Sequence, residues 1–256
     1  VSFIFTFLIL ATVGAAIGFL GGLVGIGGGL LAIPFFVLAL GYEQQAAQGT
    51  ALIMVLPAVL TTLFNYHRLA PIPFKEAVAG ASTSVIFTWL GARFALGLDP
   101  VVLQRFYAGF VLFLALYYFY KSRPPKAGVE RVAARENIPI YYFMLIGMVS
   151  GSAGGVFAVG GSVVVVPLLT TLFHFSQFRA QALGLSMIVP GIVVALLTYA
   201  YHGQVLVLSG LPMAIGSLLL VPLGVRVAYG LAESRLRFIF AFTLLGIAFL
   251  LYYSTR

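Results

Sequence analysis

The chain contains no cysteine. Disulfides, thiolate metal centres, thiol redox chemistry and cysteine nucleophiles are therefore excluded. Charge is also scarce: 8% of the 256 residues are Asp, Glu, Lys or Arg, against about 25% in a soluble domain. So few charges cannot cover the surface of a water-soluble fold of this length. Acids are rarer than bases. The carboxylates Glu43, Glu76, Asp99, Glu130, Glu136 and Glu233 all fall near loops or segment ends. None stands in the middle of an apolar run, which weighs against a metal-cation transporter, an intramembrane aspartyl protease or a carboxylate proton relay. There is no GxSxG elbow, and His67, His174 and His202 sit at loop positions without metal-binding spacing. No catalytic residue, metal or cofactor is expected. The net charge of +8 does not indicate nucleic acid, because the basic residues lie mainly between apolar runs.

What the chain has is hydrophobic length. Apolar residues make up 62% of it, and several runs exceed the roughly eighteen residues that mark a spanning helix. Alternating ten-residue segments of a β-barrel are absent from the sequence. The expected fold class is an all-α polytopic membrane protein. Val1–Leu20 has no basic n-region and continues into the next apolar stretch, so it reads as a spanning segment and not a cleaved signal.

Glycine is plentiful and patterned. Gly18–Pro34 reads GFLGGLVGIGGGLLAIP, and residues 151–167 read GSAGGVFAVGGSVVVVP. A constant shift of 133 aligns the two and, without gaps, takes Gln48 to Gln181, Pro57 to Pro190, Tyr66 to Tyr199, Gly91 to Gly224 and Arg93 to Arg226. The chain is two copies of one unit: residues 1–120 and 139–256, joined by a polar linker over 121–138. Each copy is expected to hold five segments. They fall near 3–22, 28–40, 46–66, 74–96 and 101–120, then near 139–155, 160–173, 180–201, 205–226 and 236–253. A single helix over residues 1–40 would be about 60 Å long, twice the hydrocarbon core. It must turn at the glycines near 21–29, as a broken helix or a re-entrant turn. The following segment, at about 20 Å, is too short to span alone.

Parity then sets the symmetry. With five segments per copy, the copies are inverted. One side receives Arg68, Lys75, five linker bases, Arg179, Arg226, Arg235 and Arg237, and the other receives only Arg93, Arg105 and Arg256. With four crossings per copy the bases split almost evenly. The positive-inside rule favours inverted repeats with a cytoplasmic linker and both termini outside, in a bacterial or archaeal cytoplasmic membrane.

Two readings of the glycines stand side by side. Gly14/Gly18/Gly22 and Gly21/Gly25/Gly29 are GxxxG runs suited to close helix packing. Alternatively, Gly27, Gly28 and Gly29, with Gly160, Gly161 and Ser162, break helices at the membrane midplane, where half-helix N-termini attract anions. Gln48, Thr50, Gln181 and Ser186 are polar groups in apolar surroundings and need partners, whether as interhelical glue or as a substrate shell. Pro57 and Pro190 are candidate hinges or plain packing kinks. Arg93 and Arg226 either snorkel to the headgroups or attract an anion toward a gate. These residues point to a carrier for a small anion or neutral solute. A passive channel, an intramembrane enzyme and a scaffold subunit remain alternatives.

GLVGIGGGLLAIP, AAQGTAL, GSAGGVFAVGGSVVVVP and ALGLSMIVP, with LGARFA and LGVRVA after the fourth segments, resemble the TauE/SafE family of sulfite exporters. The resemblance covers nearly the whole chain. It implies export of sulfite or an organosulfonate such as sulfoacetate. The family's usual GTS appears as Gly49, Thr50 and Ala51, and as Gly184, Leu185 and Ser186. The anion is expected between the two Gly-rich turns, with a proton or sodium as possible coupling ion and a homodimer as possible assembly in lipid.

Overall fold

The structure, a computed structural model, describes residues 3–24, 27–67, 72–122, 138–230 and 233–254. Nearly all of the polar linker, together with Gly25, Arg68 and Arg256, lies outside them. The described residues form ten helices: α1 (Phe3–Val24), α2 (Gly29–Leu40), α3 (Gln44–His67), α4 (Phe74–Leu96), α5 (Pro100–Lys121), α6 (Ile140–Phe157), α7 (Ser162–Leu172), α8 (Gln177–Tyr201), α9 (Val207–Gly230) and α10 (Glu233–Ser254). Six of them, α1, α3, α5, α6, α8 and α9, are long and apolar enough to cross a bilayer. With 12 and 11 residues, α2 and α7 rise only about 17–18 Å, half a hydrocarbon core.

Small residues decide which helices touch. In lipid there is no hydrophobic gain from pairing apolar helices, so close backbone approach and dispersion must hold them. The largest interfaces are α1 with α9 and α4 with α6. Gly14, Gly18 and Gly22 lie on the backbone of Met213, Ser217 and Val221. Gly147, Gly151 and Gly155 lie in the same way on Gly80, Ser84 and Thr88. A Cβ on Gly18 would fall 2.5 Å from the Ser217 Cα, and one on Gly151 would fall 2.6 Å from the Ser84 carbonyl. Residue numbers rise together across both seams, so each pair runs parallel. Thr83 adds a bond across the second seam, donating to the Met144 carbonyl at 2.8 Å. Large apolar side chains are left on the outside: Phe113 of α5 is 64% exposed and Leu219 of α9 72%. Among the described residues no charged side chain is buried.

The central helices cross in the opposite sense. Gln48 bonds Tyr199, Leu52 and Ala195 line one cavity, and Gly160 faces both Val55 and Ile192. Numbers rise on α3 as they fall on α8, so these equivalent helices are antiparallel. Around them, α3 packs on α9 as α8 packs on α4, and α5 meets α10. The start of α3 lies against the start of α9, where the Leu206 N–H donates to the Thr50 hydroxyl at 3.0 Å. Because α1 parallels α9 and α2 leads directly into α3, α1 begins and α2 ends at the same end of the bundle. The pair is a hairpin, and its turn lies inside the protein.

Candidate functional site

The hairpin turns depend on glycine. Gly27 and Gly28 have φ of 73° and 79°, and Gly160 and Gly161 have 80° and 71°. This left-handed region is open to glycine without a Cβ penalty. Each second glycine starts the half-helix. The Gly28 carbonyl accepts from Leu31 and Ala32, both at 3.0 Å, and the Gly161 carbonyl from Val164 and Val165 at 3.0 and 3.1 Å. The earlier N–H groups of α2 and α7 have no acceptor within their helices, and each N-terminus carries about half a positive charge.

The two turns meet. A Cβ on Gly29 would lie 3.5 Å from the Ala158 carbonyl and from the Val159 Cα. Gly27 and Gly160 both pack on Val55, halfway along α3. Both half-helices therefore begin at mid-depth of the bundle.

A small cavity adjoins the second turn. Ser84 and Thr88 of α4, Ser150 of α6, Gly160, Leu52 and Ile192 are among its lining. Its volume is about 10 Å³, room for about one water. Ser84 is 1% exposed, and its hydroxyl has no partner in the protein. Ser162, the first residue of α7, is fully buried with its hydroxyl equally unmatched. Leaving a buried hydroxyl unpaired costs about 1–3 kcal/mol, so two such groups beside one helix N-terminus ask for a ligand.

A profile of the sulfite exporter TauE/SafE family matches residues 10–251. The chain belongs to that family. It is also 25% identical over 254 residues to a probable membrane transporter protein of Methanocaldococcus jannaschii, covering 93% of this chain and 92% of that one. This TauE/SafE protein is thus a multi-pass membrane transporter.

Within the TauE/SafE chain the expected site residues fall into separate groups. Gly27, Gly28, Gly29, Gly160, Gly161 and Ser162 come together at the centre. Gln48 lies about 10 Å up α3 from Val55, where its Oε1 accepts from the Tyr199 hydroxyl at 2.8 Å. That hydroxyl also lies 3.3 Å from the Gly155 carbonyl, and the Gln48 Nε2 is buried without a partner. By the antiparallel register Gln181 comes level with Tyr66, about 27 Å along α3 from Gln48. The two glutamines do not meet around one small ligand. Thr50 caps the approach to α9 through Leu206, and Ser186 donates to the Leu183 carbonyl at 2.7 Å. Pro57 and Pro190 lie inside helices that continue through them.

Arg93 and Arg226 are exposed. Arg93 stands in an open groove of about 330 Å³ between the ends of α4 and α8, with Trp89, Thr198, Tyr201 and His202. Its guanidinium is 6.0 Å from the Trp89 ring centre, a cation–π arrangement.

Sequence reasoning missed Ser84, Thr88 and Ser150. The first two are spaced i, i+4 on α4, in line with Gly80 and Gly91, and so read as part of a small-residue packing stripe. That stripe is real on the α6 side. The Ser84 and Thr88 hydroxyls nevertheless face Gly191 of α8 beside the cavity, and nothing in the spacing reports this.

Proposed function

We propose that this protein is a secondary transporter that exports a small sulfur-containing anion, sulfite or an organosulfonate, held at mid-depth where the two Gly-rich turns meet. The observation that carries this reading is the convergence there of two half-helix N-termini and buried, unmatched hydroxyls, with no buried carboxylate among the described residues. A sulfonate offers acceptors and no donors, so it asks for such a lining. The sulfur assignment is supported by the family's description, sulfite exporter TauE/SafE.

The repeats are inverted in this proposal. Support comes from the antiparallel passage of α3 and α8, equivalent helices under the shift of 133, and from the charge asymmetry of the loops. The linker would then face the cytoplasm, and Arg93 and the His202 end of α8 the outside. In that setting Arg93 draws the anion away from the centre on the export side, and Arg226 acts at the cytoplasmic end.

Flux in proteoliposomes tests the proposal, with sulfite, sulfoacetate, taurine, sulfate and a monocarboxylate supplied singly. The expected result is saturable movement of sulfite or a sulfonate, accelerated by the same anion on the far side and altered by an imposed proton or sodium gradient. Non-saturable flux without counter-transport would identify a passive channel. Movement of none of the sulfur anions by folded protein would remove the assignment.

A further inference from the structure

The duplicated centre is chemically one-sided. Shifting the cavity lining by 133 gives the equivalent place beside the first turn. There Ser150 becomes Ile17, Thr88 becomes Val221, and Gly160, Ile188 and Ile192 become Gly27, Val55 and Val59. Two hydroxyls stand on that side, Ser217 and Thr62, and both are satisfied within their own helices, as Ser150 is on the other side by the Gly147 carbonyl at 3.3 Å. Ser217 donates to the Ala214 carbonyl at 2.9 Å and Thr62 to the Ala58 carbonyl at 2.7 Å. Among the described residues, unmatched side-chain donors at the two turns are thus confined to the second, at Ser84 and Ser162.

Helix α8 is unlike its counterpart at the same place. Pro190 is followed by Gly191, where α3 has Pro57 and Ala58. A Cβ on Gly191 would sit 2.8 Å from the Thr88 Oγ1 and 3.1 Å from the Ser84 Oγ. The missing side chain leaves room for the hydroxyls. Proline removes a helix hydrogen bond, and glycine beside it lowers resistance to bending. On the other side of the pocket α4 is fixed to α6 by Gly147, Gly151 and Gly155. Of the two walls, α8 is the one that can yield.

We propose that the anion occupies this side of the centre alone, in the pocket of Ser84, Thr88 and Ser150, and that bending of α8 at Pro190–Gly191 opens the pocket to admit it. The inference rests on the anion-transport reading and narrows it. The pocket as described holds about one water, so it is the closed form. It selects monoanions. Two half-helix N-termini of about +0.5 each balance one negative charge, and no buried Lys or Arg among the described residues is present to balance a second. The desolvation cost of an ion rises with the square of its charge. Hydrogensulfite and methanesulfonate fit this lining, and the dianions sulfate and sulfoacetate do not.

The test compares Ser84→Ala/Thr88→Val and Gly191→Ala with the controls Ser217→Ala and Ala58→Gly, using methanesulfonate flux in proteoliposomes. The site variants should raise KM at least tenfold, and the controls should stay within twofold. A second measurement uses the cysteine-free background: Ser84→Cys is modified with methyl methanethiosulfonate, and methanesulfonate but not sulfate should slow the labelling. A wild-type KM in the double variant, or labelling that no monoanion slows, would overturn the pocket. Equal protection by sulfate would overturn the charge selection. If sulfite flux persists and the double variant is unaffected, the transport reading stands and the pocket falls. If another monoanion such as formate is carried with the same sensitivity to the variants, the pocket stands and the sulfur assignment falls.

Discussion

Tyr107 shows how one side chain repairs a broken helix. Pro34 has no N–H, so the Leu30 carbonyl four residues earlier loses its helical partner. The Tyr107 hydroxyl donates to that carbonyl at 3.2 Å. Phe240, at the equivalent place in the second copy, has no hydroxyl to offer. Tyr107→Phe should lower stability by about 1 kcal/mol, seen as a lower unfolding temperature in detergent, with transport retained. The turn glycines are less forgiving. A Cβ on Gly161 would meet the Ser150 carbonyl at 2.8 Å, and one on Gly28 would meet Ile17 and Met54 at 3.1 Å, both at left-handed φ. Gly28→Leu and Gly161→Leu should abolish flux while the chain still inserts. Full activity in both folded variants would refute the placement of the site.

Among the helices, two kinds of contact divide the work. The parallel glycine seams are fixed pairs, and the antiparallel α3–α8 crossing carries the polar groups. Gly18→Leu and Gly151→Leu should each force a seam apart, so that the variants fail to purify as a single species by size exclusion. Helix positions were legible in the sequence, because long apolar runs and their glycine and proline breaks constrain a membrane chain strongly. The half-length of α2 was legible from thirteen residues of rise. The cavity was not. Ser84 and Gly80 occupy the same stripe on α4 and differ only in what lies opposite, which is a fact about α8. Gln48 and Gln181 matched as a pair in the sequence, yet the antiparallel crossing that relates them also sends them to opposite ends of the seam. A two-fold pattern in sequence names equivalent residues and does not bring them together.

For the molecule as a whole, the proposed inverted arrangement makes a direct prediction. In the cysteine-free chain, Lys126→Cys should react with an impermeant maleimide from the cytoplasmic side, and Gly203→Cys from the opposite side. Labelling of both from one side would refute the inverted topology. The parallel seams also bear on how the protein is made. Helix α1 finds its main partner in α9, and α4 finds its partner in α6. Each half therefore holds the other's packing surface, and the first half leaves the ribosome with two glycine faces uncovered. Those faces must wait in the lipid until the second half is synthesised. The halves are better seen as an interlocked pair than as two domains in series. Cut at the linker, neither half should be stable alone, and the two expressed together should recover flux.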